Sequence, residues 1–214
     1  MDSMRLRLCW LSLAAVALGQ VPQQHHPPSA GEYAKVLEDP SRDAWQKPHE
    51  VITALSPVPD SVVADIGSGT GYFAARLAHF VPKGRVYGVD TEPDMVKYLE
   101  ERAKREGLSN LVSIAGRPDD ASLRARVDLV LMVDVYHHIA DRERYFTKLR
   151  GSLKPGARVA IIDFRADAPS GPPKSERIAP SRVKSELANA GYAFAKEHTF
   201  LPYQFFLVFE AARP

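Results

Sequence analysis

Cysteine is almost absent from this chain. Among the 214 residues Cys9 is the only cysteine, and it lies in an apolar stretch near the N-terminus. Disulfide bonds, zinc held by cysteines and thiol nucleophiles are therefore excluded for the rest of the chain. No metal site is expected from histidines either. His137 and His138 are adjacent and so point to different faces, and no third ligand is evident.

An excess of one charge is also lacking. The chain has 28 basic and 26 acidic residues, which leaves a formal net charge of +2. A net charge this small does not favour a nucleic acid as the partner, because such partners are attracted by an excess of basic residues. With 45% hydrophobic residues, the chain has enough apolar side chains to bury the core of one α/β domain.

Long apolar runs are missing as well, apart from residues 8–18. This run follows Arg5 and Arg7, precedes small residues, and is short for a membrane span. It predicts a cleaved secretory signal over residues 1–19, with an uncleaved anchor as the alternative. A working signal implies export to the periplasm or outside the cell, with no stable transmembrane segment after cleavage. Otherwise a cytoplasmic or membrane-anchored protein is expected.

Beyond this segment we expect a flexible or partly helical lead-in over residues 20–42 and one domain over residues 43–214. Strand and helix patterns alternate in the domain. We predict strands over residues 61–66, 85–89, 111–115, 127–133 and 158–163, and helices over residues 43–55, 71–80, 93–106, 141–153 and 180–190.

Two strands without a helix between them, 192–199 and 203–211, end the chain. Their short connection around Pro202 requires them to run antiparallel, because a parallel crossover needs about a dozen residues or more. The pattern thus predicts an α/β fold. Its sheet is mixed but mostly parallel, with helices on both faces and one antiparallel strand near its end.

A glycine-rich loop follows the first predicted strand and opens a helix. Its sequence is Asp65-Ile66-Gly67-Ser68-Gly69-Thr70-Gly71-Tyr72, in which glycines allow a tight turn and a close approach of ligand to backbone. The dinucleotide frame G-x-G-x-x-G/A is broken by Tyr72, and the Gly-Lys-Ser/Thr phosphate frame is absent. Asp65 would repel a pyrophosphate but suits a cationic amine.

Asp90 ends the second strand, nineteen residues after Gly71. A carboxylate at this point of the sheet edge can accept hydrogen bonds from both hydroxyls of a ribose. NAD-binding sites have the same carboxylate, so Asp90 by itself does not distinguish NAD from another nucleoside cofactor. It does so only together with the spacing of the glycines in the loop.

The run Val63 to Gly71 resembles the first motif of class I S-adenosylmethionine (SAM)-dependent methyltransferases. Gly88-Val89-Asp90 resembles their second motif, and Lys154-Pro155-Gly156 the turn before their fifth strand, with Ala157 in place of a glycine. The resemblance covers residues 43–214. It implies a Rossmann-like, seven-stranded sheet of order 3-2-1-4-5-7-6 with strand 7 antiparallel.

The resemblance also implies how SAM would be held. Asp65 and Gly67 would meet its methionine end, Gly69 and Gly71 would shape the loop, and Asp90 would bind the ribose. The remaining cofactor contacts implied are Thr91 and Met95 beside the adenine, Asp119 or Asp120 on its amino group, and Asp134 after strand 4. The alternative role of Asp119 or Asp120 is to cap a helix, and the alternative role of Met95 is to pack in the hydrophobic core.

The methyl acceptor is expected beyond strands 4 and 5, next to residues 134–138 and 163–165. Tyr136 and His137 are the candidate catalytic residues, since a base there could deprotonate the acceptor. Residues 45–48, with Trp45 first, are a candidate lid or a packed helix. The family branch resembled includes quinone-biosynthesis and arsenite methyltransferases, and the arsenite reaction needs cysteines that this domain lacks. We expect a small, apolar acceptor and no nucleic acid.

Two other functions fit the same pattern. An NAD-dependent oxidoreductase would use the same fold, but Tyr72 in the glycine frame opposes it. A non-catalytic SAM-fold binding module is favoured by the export signal, because SAM is made and kept in the cytosol.

Overall fold

The computed structural model describes residues 30–211. The signal predicted over residues 1–19, with Cys9, and residues 20–29 of the lead-in lie outside the described residues. The rest of the lead-in, residues 30–42, is largely helical. Within them, no helix is both long and apolar enough to cross a membrane.

Seven α-helices and seven strands follow one another in the described part of the chain. The helices are α1 Ala30–Leu37, α2 Asp43–Gln46, α3 Pro48–Leu55, α4 Tyr72–Phe80, α5 Pro93–Arg105, α6 Arg142–Leu149 and α7 Pro180–Asn189. The strands are β1 Val62–Ile66, β2 Arg85–Asp90, β3 Leu111–Ala115, β4 Val127–Val133, β5 Leu153–Phe164, β6 Tyr192–His198 and β7 Gln204–Ala211.

The strands form one sheet of order β3-β2-β1-β4-β5-β7-β6, which confirms the predicted order. Strands β1 to β5 are parallel to one another, and β7 is antiparallel to both β5 and β6. The order reverses between β1 and β4, and open α/β sheets hold ligands in the crevice at the carboxyl ends of such strands.

Each face of the sheet is covered by its own hydrophobic core. One core joins buried strand residues to helices α3, α4 and α5, and the other joins them to α6 and α7. Strand β4 contributes to both, which explains its almost continuous apolar sequence. Leu129 and Leu131 face one core, while Val130 and Met132 face the other.

Two predicted elements differ from the structure. The single helix predicted over residues 43–55 is divided at Lys47, whose φ of 46° is left-handed. Pro48 causes the break, because proline disfavours helical backbone in the residue before it. The turn expected at residues 154–156 lies inside β5, where the pairing with β4 jumps from Leu153 to Arg158.

Candidate active site

The loop between β1 and α4 lies at the reversal point of the sheet. Gly67, Gly69 and Gly71 all have positive φ, at 75°, 52° and 92°. A Cβ atom on Gly67 would collide with the Val135 side chain, and one on Gly71 would collide with Leu99. The sequence needs glycine here for backbone conformation and for close packing, so the bare loop backbone can face a ligand.

Asp90 ties the loop to the end of β2. Its two carboxylate oxygens accept from Gly69 N at 2.8 Å and from Glu92 N at 3.0 Å. A carboxylate has about four lone-pair directions. Asp90 therefore keeps acceptor capacity for two further donors, as binding of a ribose through both hydroxyls would require.

Asp65 is buried behind the loop and is only 3% exposed. Burial raises the pKa of Asp65 to about 7; a backbone hydrogen bond from Ala74 opposes the rise and the charge of Asp90 adds to it. A cation entering beside Asp65 would favour the ionised carboxylate and bind to it.

A pocket of about 160 Å³ opens in front of the loop. Its lining comprises Leu37, Arg42, Asp65, Gly67, Ser68, Gly69, Thr70, Tyr72, Phe73, Val133, Asp134 and Val135. Among the described residues, the buried hydroxyls of Ser68 and Thr70 find no hydrogen-bond partner. Buried polar groups without partners are costly, so these two hydroxyls mark a place where a polar ligand fits.

Residues 37–47, here called the cover segment, lie over this pocket. Leu37 is the side chain nearest to Gly69, and Glu38 forms an ion pair with Arg102, which also donates to Thr70 O at 3.2 Å. The pocket is smaller than the about 300–1,000 Å³ typical of small-molecule sites. The cover segment therefore narrows the space in front of the glycine loop.

The cover segment also reaches the neighbouring strands. Asp43 bonds to Tyr72 and Arg76 on α4, and Lys47 donates to Phe200 O at 3.2 Å. Trp45, the first residue of the candidate lid, packs on Phe164 with ring centroids 5.7 Å apart. These contacts place residues 45–47 over the ends of the central strands.

Asp134 follows β4 and faces the pocket between the cover segment and β7. Its oxygens accept from Gln46 Nε2 at 2.9 Å and from Gln204 Nε2 at 2.6 Å. Burial, helped by the charge of Asp163, raises the pKa of Asp134 to about 7 despite the bond from Gln204. Asp65 and Asp134 thus give the pocket two carboxyl groups that a cationic ligand would ionise.

His137 and Asp163 form a buried pair beside Asp134. Nδ1 of His137 lies 2.9 Å and 3.0 Å from the two oxygens of Asp163, and the side chains are 4% and 1% exposed. Burial alone lowers the pKa of His137, but the hydrogen bond and charge of Asp163 outweigh it, so the net shift is upward. A histidine oriented by a carboxylate in this way can serve as a base.

Tyr136, the other candidate catalytic residue, is directed away from the pocket. It is fully buried among the side chains of the α6–α7 core, and its hydroxyl donates to Glu186 on α7 at 2.5 Å. Arg142 bonds to the same carboxylate at 2.6 Å. The structure therefore gives Tyr136 a packing contact in the α6–α7 core and does not bring its hydroxyl to the His137–Asp163 pair.

The candidate adenine contacts follow the ends of β2 and β3. Thr91 is exposed after β2, while Met95 is buried at the start of α5. Asp119 and Asp120 both pair with Lys148, at 2.9 Å and 3.3 Å. Asp120 also accepts from Ser122 N at 2.7 Å, but no helix begins there, so the helix-cap alternative is wrong.

Sequence reasoning missed Gln204 as a site residue and included Gln46 only as part of the candidate lid, not as a partner of Asp134. Gln204 opens the strand Gln-Phe-Phe-Leu-Val-Phe and is 1% exposed. A lone amide at the sheet edge of an otherwise apolar strand is the signal that could have identified it, since buried polar groups need partners.

The chain matches known proteins over most of the described fold. A family profile described as a methyltransferase domain matches residues 58–199. A SAM-dependent methyltransferase structure from Aquifex aeolicus superposes with a TM-score of 0.78 and 26% identity, covering 87% of this chain and 100% of that one.

Curated relatives match a smaller share of the chain. Demethylmenaquinone methyltransferase of Bacteroides fragilis is 27% identical over 124 residues, 56% of this chain and 49% of that protein. Arsenite methyltransferase of Halobacterium salinarum is 31% identical over 113 residues, 52% of this chain and 29% of that protein. The chain spans about a quarter to a half of the length of the curated relatives it matches.

Proposed function

The chain belongs to the methyltransferase-domain family and is a SAM-dependent class I methyltransferase, and on that premise we propose that its methyl acceptor is a small molecule. The observation that carries the proposal is the cover segment over this pocket, from which Gln46 donates to Asp134 after β4 at 2.9 Å. A loop or tail of a macromolecule would have to displace more of that cover than a small molecule does.

We assign the cofactor to the pocket in front of the glycine loop. Asp65 would face the amino group of the methionine end, and the hydroxyls of Ser68 and Thr70 would gain partners. Asp90 would accept from the ribose hydroxyls. Gly67, Gly69 and Gly71 keep the loop close to the ligand, because any side chain there collides or strains the backbone.

The cofactor supplies a methyl group on a positively charged sulfur, which is already a good leaving group. The protein's part is then to orient the acceptor in line with the methyl carbon and to exclude water. Asp134 lies between the pocket assigned to the cofactor and the side where the acceptor is expected. Its carboxylate would stabilise the positive charge of the bound cofactor.

The acceptor branch is part of the proposal. The relatives include enzymes named for demethylmenaquinone and for arsenite. Residues 30–211 contain no cysteine to hold arsenic. An organic acceptor is therefore favoured.

The experiment uses methyl-labelled SAM with the purified protein and a small-molecule extract of the source organism. Label in the small-molecule fraction supports the proposal. Label that appears only in protein or nucleic acid, or no transferred label, would overturn it. The Asp90→Ala variant is the matched control, because it should lose SAM binding while leaving the acceptor end intact.

Export remains a separate proposal that rests on the sequence alone. We propose that residues 1–19 are removed in the mature protein. Intact-mass measurement after expression in the source organism tests this, and a mass that includes Met1 to Gly19 would contradict it.

A further inference from the structure

We propose that Arg42 sets the relative affinity of the pocket for SAM and for its product S-adenosylhomocysteine, because its guanidinium group takes the place of a ligand cation in the free protein. The inference rests on the proposed function, since it assigns a specificity-determining residue to that same site. It depends on four side chains: Arg42 and Gln46 of the cover segment, Tyr72 on α4 and Asp134 after β4.

Arg42 belongs to the wall of the pocket in front of the glycine loop. It lines this pocket together with Asp65, Tyr72 and Asp134, and among the described residues of the lining it is the only cation. Asp65 and Asp134 are the two carboxyl groups that a cationic ligand would ionise. A cation of the protein and a cation of the ligand must therefore share a space of about 160 Å³.

The ring of Tyr72 is one of the contacts of Arg42. The guanidinium carbon lies 4.2 Å from the ring centroid, and Tyr72 is buried. Aromatic faces attract cations within about 6 Å, and they attract the onium groups of ligands for the same electrostatic reason. Arg42 thus occupies a ring contact that also suits a ligand cation such as a sulfonium.

The hydrogen bonds of Arg42 go to neutral groups. Its Nε donates to Gln46 Oε1 at 2.8 Å, and its Nη1 donates to Leu37 O. Arg76, whose guanidinium lies 4.1 Å from the centroid of the same Tyr72 ring, instead forms an ion pair with Asp43 at 3.1 Å. Among the described residues no carboxylate holds Arg42 in this way. Arg42 can therefore leave its place without breaking a contact ion pair.

The charge of Arg42 acts on Asp134. Burial lowers the pKa of Arg42, and the nearby Tyr72 and Asp134 oppose the fall. Burial raises the pKa of Asp134 to about 7, and the charge of Arg42 opposes that rise. An arginine side chain stays protonated in proteins. Arg42 is thus a permanent positive charge beside the carboxyl group assigned above to the positive charge of the cofactor.

SAM and S-adenosylhomocysteine differ at one point that this charge can sense. SAM has a methyl group and a positive charge on sulfur, whereas the sulfur of the product is neutral. Like charges repel more strongly in a pocket of low effective dielectric constant than in water. We therefore expect Arg42 to leave its place when SAM binds and to keep it beside S-adenosylhomocysteine.

The departure of Arg42 would also loosen the cover segment, because Arg42 binds both of its ends. Leu37, at one end, is the side chain nearest to Gly69. Gln46, near the other end, donates to Asp134 at 2.9 Å. The cover segment would then be fastened in the free protein and in the product complex. It would be loosened while SAM is bound, which is when the acceptor has to enter.

Calorimetry with the two ligands tests the charge of Arg42. The full-length protein is titrated with SAM and with S-adenosylhomocysteine at one pH, and the Kd of SAM is divided by the Kd of the product. In Arg42→Gln this ratio should fall about tenfold, mainly through tighter binding of SAM. Arg42→Lys keeps the positive charge and should keep the ratio close to that of the wild type.

Arg76→Gln is the matched control. Arg76 lies at nearly the same distance from the Tyr72 ring but does not line the pocket, so the ratio should stay unchanged. An unchanged ratio in Arg42→Gln would overturn the inference. Equal weakening of both ligands in Arg42→Gln would also overturn it and would assign Arg42 to the carboxylate that the two ligands share. A wild-type protein that binds neither ligand would overturn the proposed function itself.

Nitrogen-15 NMR of the arginine side chains tests the displacement in the wild-type protein. The Nε proton of Arg42 is hydrogen-bonded to Gln46 in the free protein, so it should exchange slowly with water. Saturating SAM should make this exchange fast, whereas saturating S-adenosylhomocysteine should leave it slow. Slow exchange in both complexes would show that Arg42 keeps its place beside SAM, and this result would overturn the inference.

Discussion

The cofactor half of the site takes its shape from one continuous stretch of backbone, whereas the acceptor half is assembled from side chains far apart in the chain. The loop from Asp65 to Gly71 and the carboxylate of Asp90 make up most of the first half. In the second half, Asp134 is held by Gln46 and Gln204, which lie 88 and 70 residues away in sequence.

This difference explains why the cofactor is easier to identify than the acceptor. A cofactor that many methyltransferases share can be held by backbone geometry, which a short motif encodes. An acceptor is recognised by side chains whose meeting depends on the packing of the cover segment and β7. The contact between Gly67 and Val135 joins the two halves, so it is the first place to test their independence.

Gly67→Ala should produce the largest effect. The left-handed backbone costs an alanine about 1–2 kcal/mol, and the collision with the stiff Val135 side chain adds about 1–3 kcal/mol. We therefore expect the free energy of unfolding to fall by about 2–5 kcal/mol in urea denaturation.

Gly156→Ala is the matched control for this variant. Gly156 has the same φ of 75°, but nothing lies within 4 Å of its added Cβ. Its loss should be limited to the backbone term. If both variants lose the same free energy of unfolding, the Val135 side chain moves aside without cost. The packing of the glycine loop then does not depend on the acceptor half.

The strands were predictable because their signals are local. The bounds of β3 and β4 agree with the sequence prediction residue for residue, since each is a compact apolar run between turns. The direction of the Tyr136 side chain was not predictable, because it depends on Glu186, 50 residues later. The same limit applies to Gln46 and Gln204, since nothing local to either residue indicates that both reach Asp134.

Asp134→Asn should change how stability depends on pH. The pKa of Asp134 is about 7 in the folded protein against a reference value of 3.8, so the native state holds a proton that the unfolded chain releases. This contribution is complete below pH 3.8 and is lost as the pH rises to about 7, by on the order of 4 kcal/mol. In Asp134→Asn the free energy of unfolding should no longer fall by this amount between pH 3.8 and about 7.

Urea denaturation at several pH values between 4 and 8 measures this effect. Asparagine tolerates the left-handed backbone of Asp134, whose φ is 58°, so the fold should persist. Asp128→Asn, at the opposite end of β4, is the control. A wild-type decline that survives unchanged in Asp134→Asn would mean that Asp65 or another group holds the proton.

Asp90→Asn tests the cofactor half alone. Loss of a charged hydrogen-bond acceptor for the ribose should weaken binding by about 1.5–3 kcal/mol, which is roughly 10- to 150-fold in Kd. Calorimetry with S-adenosylhomocysteine measures this. His137→Asn, in the acceptor half, should leave the same Kd unchanged. Equal weakening in both variants would show that residues of the acceptor half also contribute to cofactor binding.

Tyr136→Phe should have the smallest effect and decides whether Tyr136 belongs to the acceptor half at all. The variant loses one hydrogen bond to Glu186, but Glu186 keeps its bonds to Arg142 and Arg182, so no buried charge is left alone. We expect a loss of about 0.5–1.5 kcal/mol in the free energy of unfolding. The rate of methyl transfer and its pH profile should stay close to those of the wild type, because the hydroxyl points toward α7. A loss of rate in the range of His137→Asn, without a matching loss of stability, would return Tyr136 to the catalytic residues.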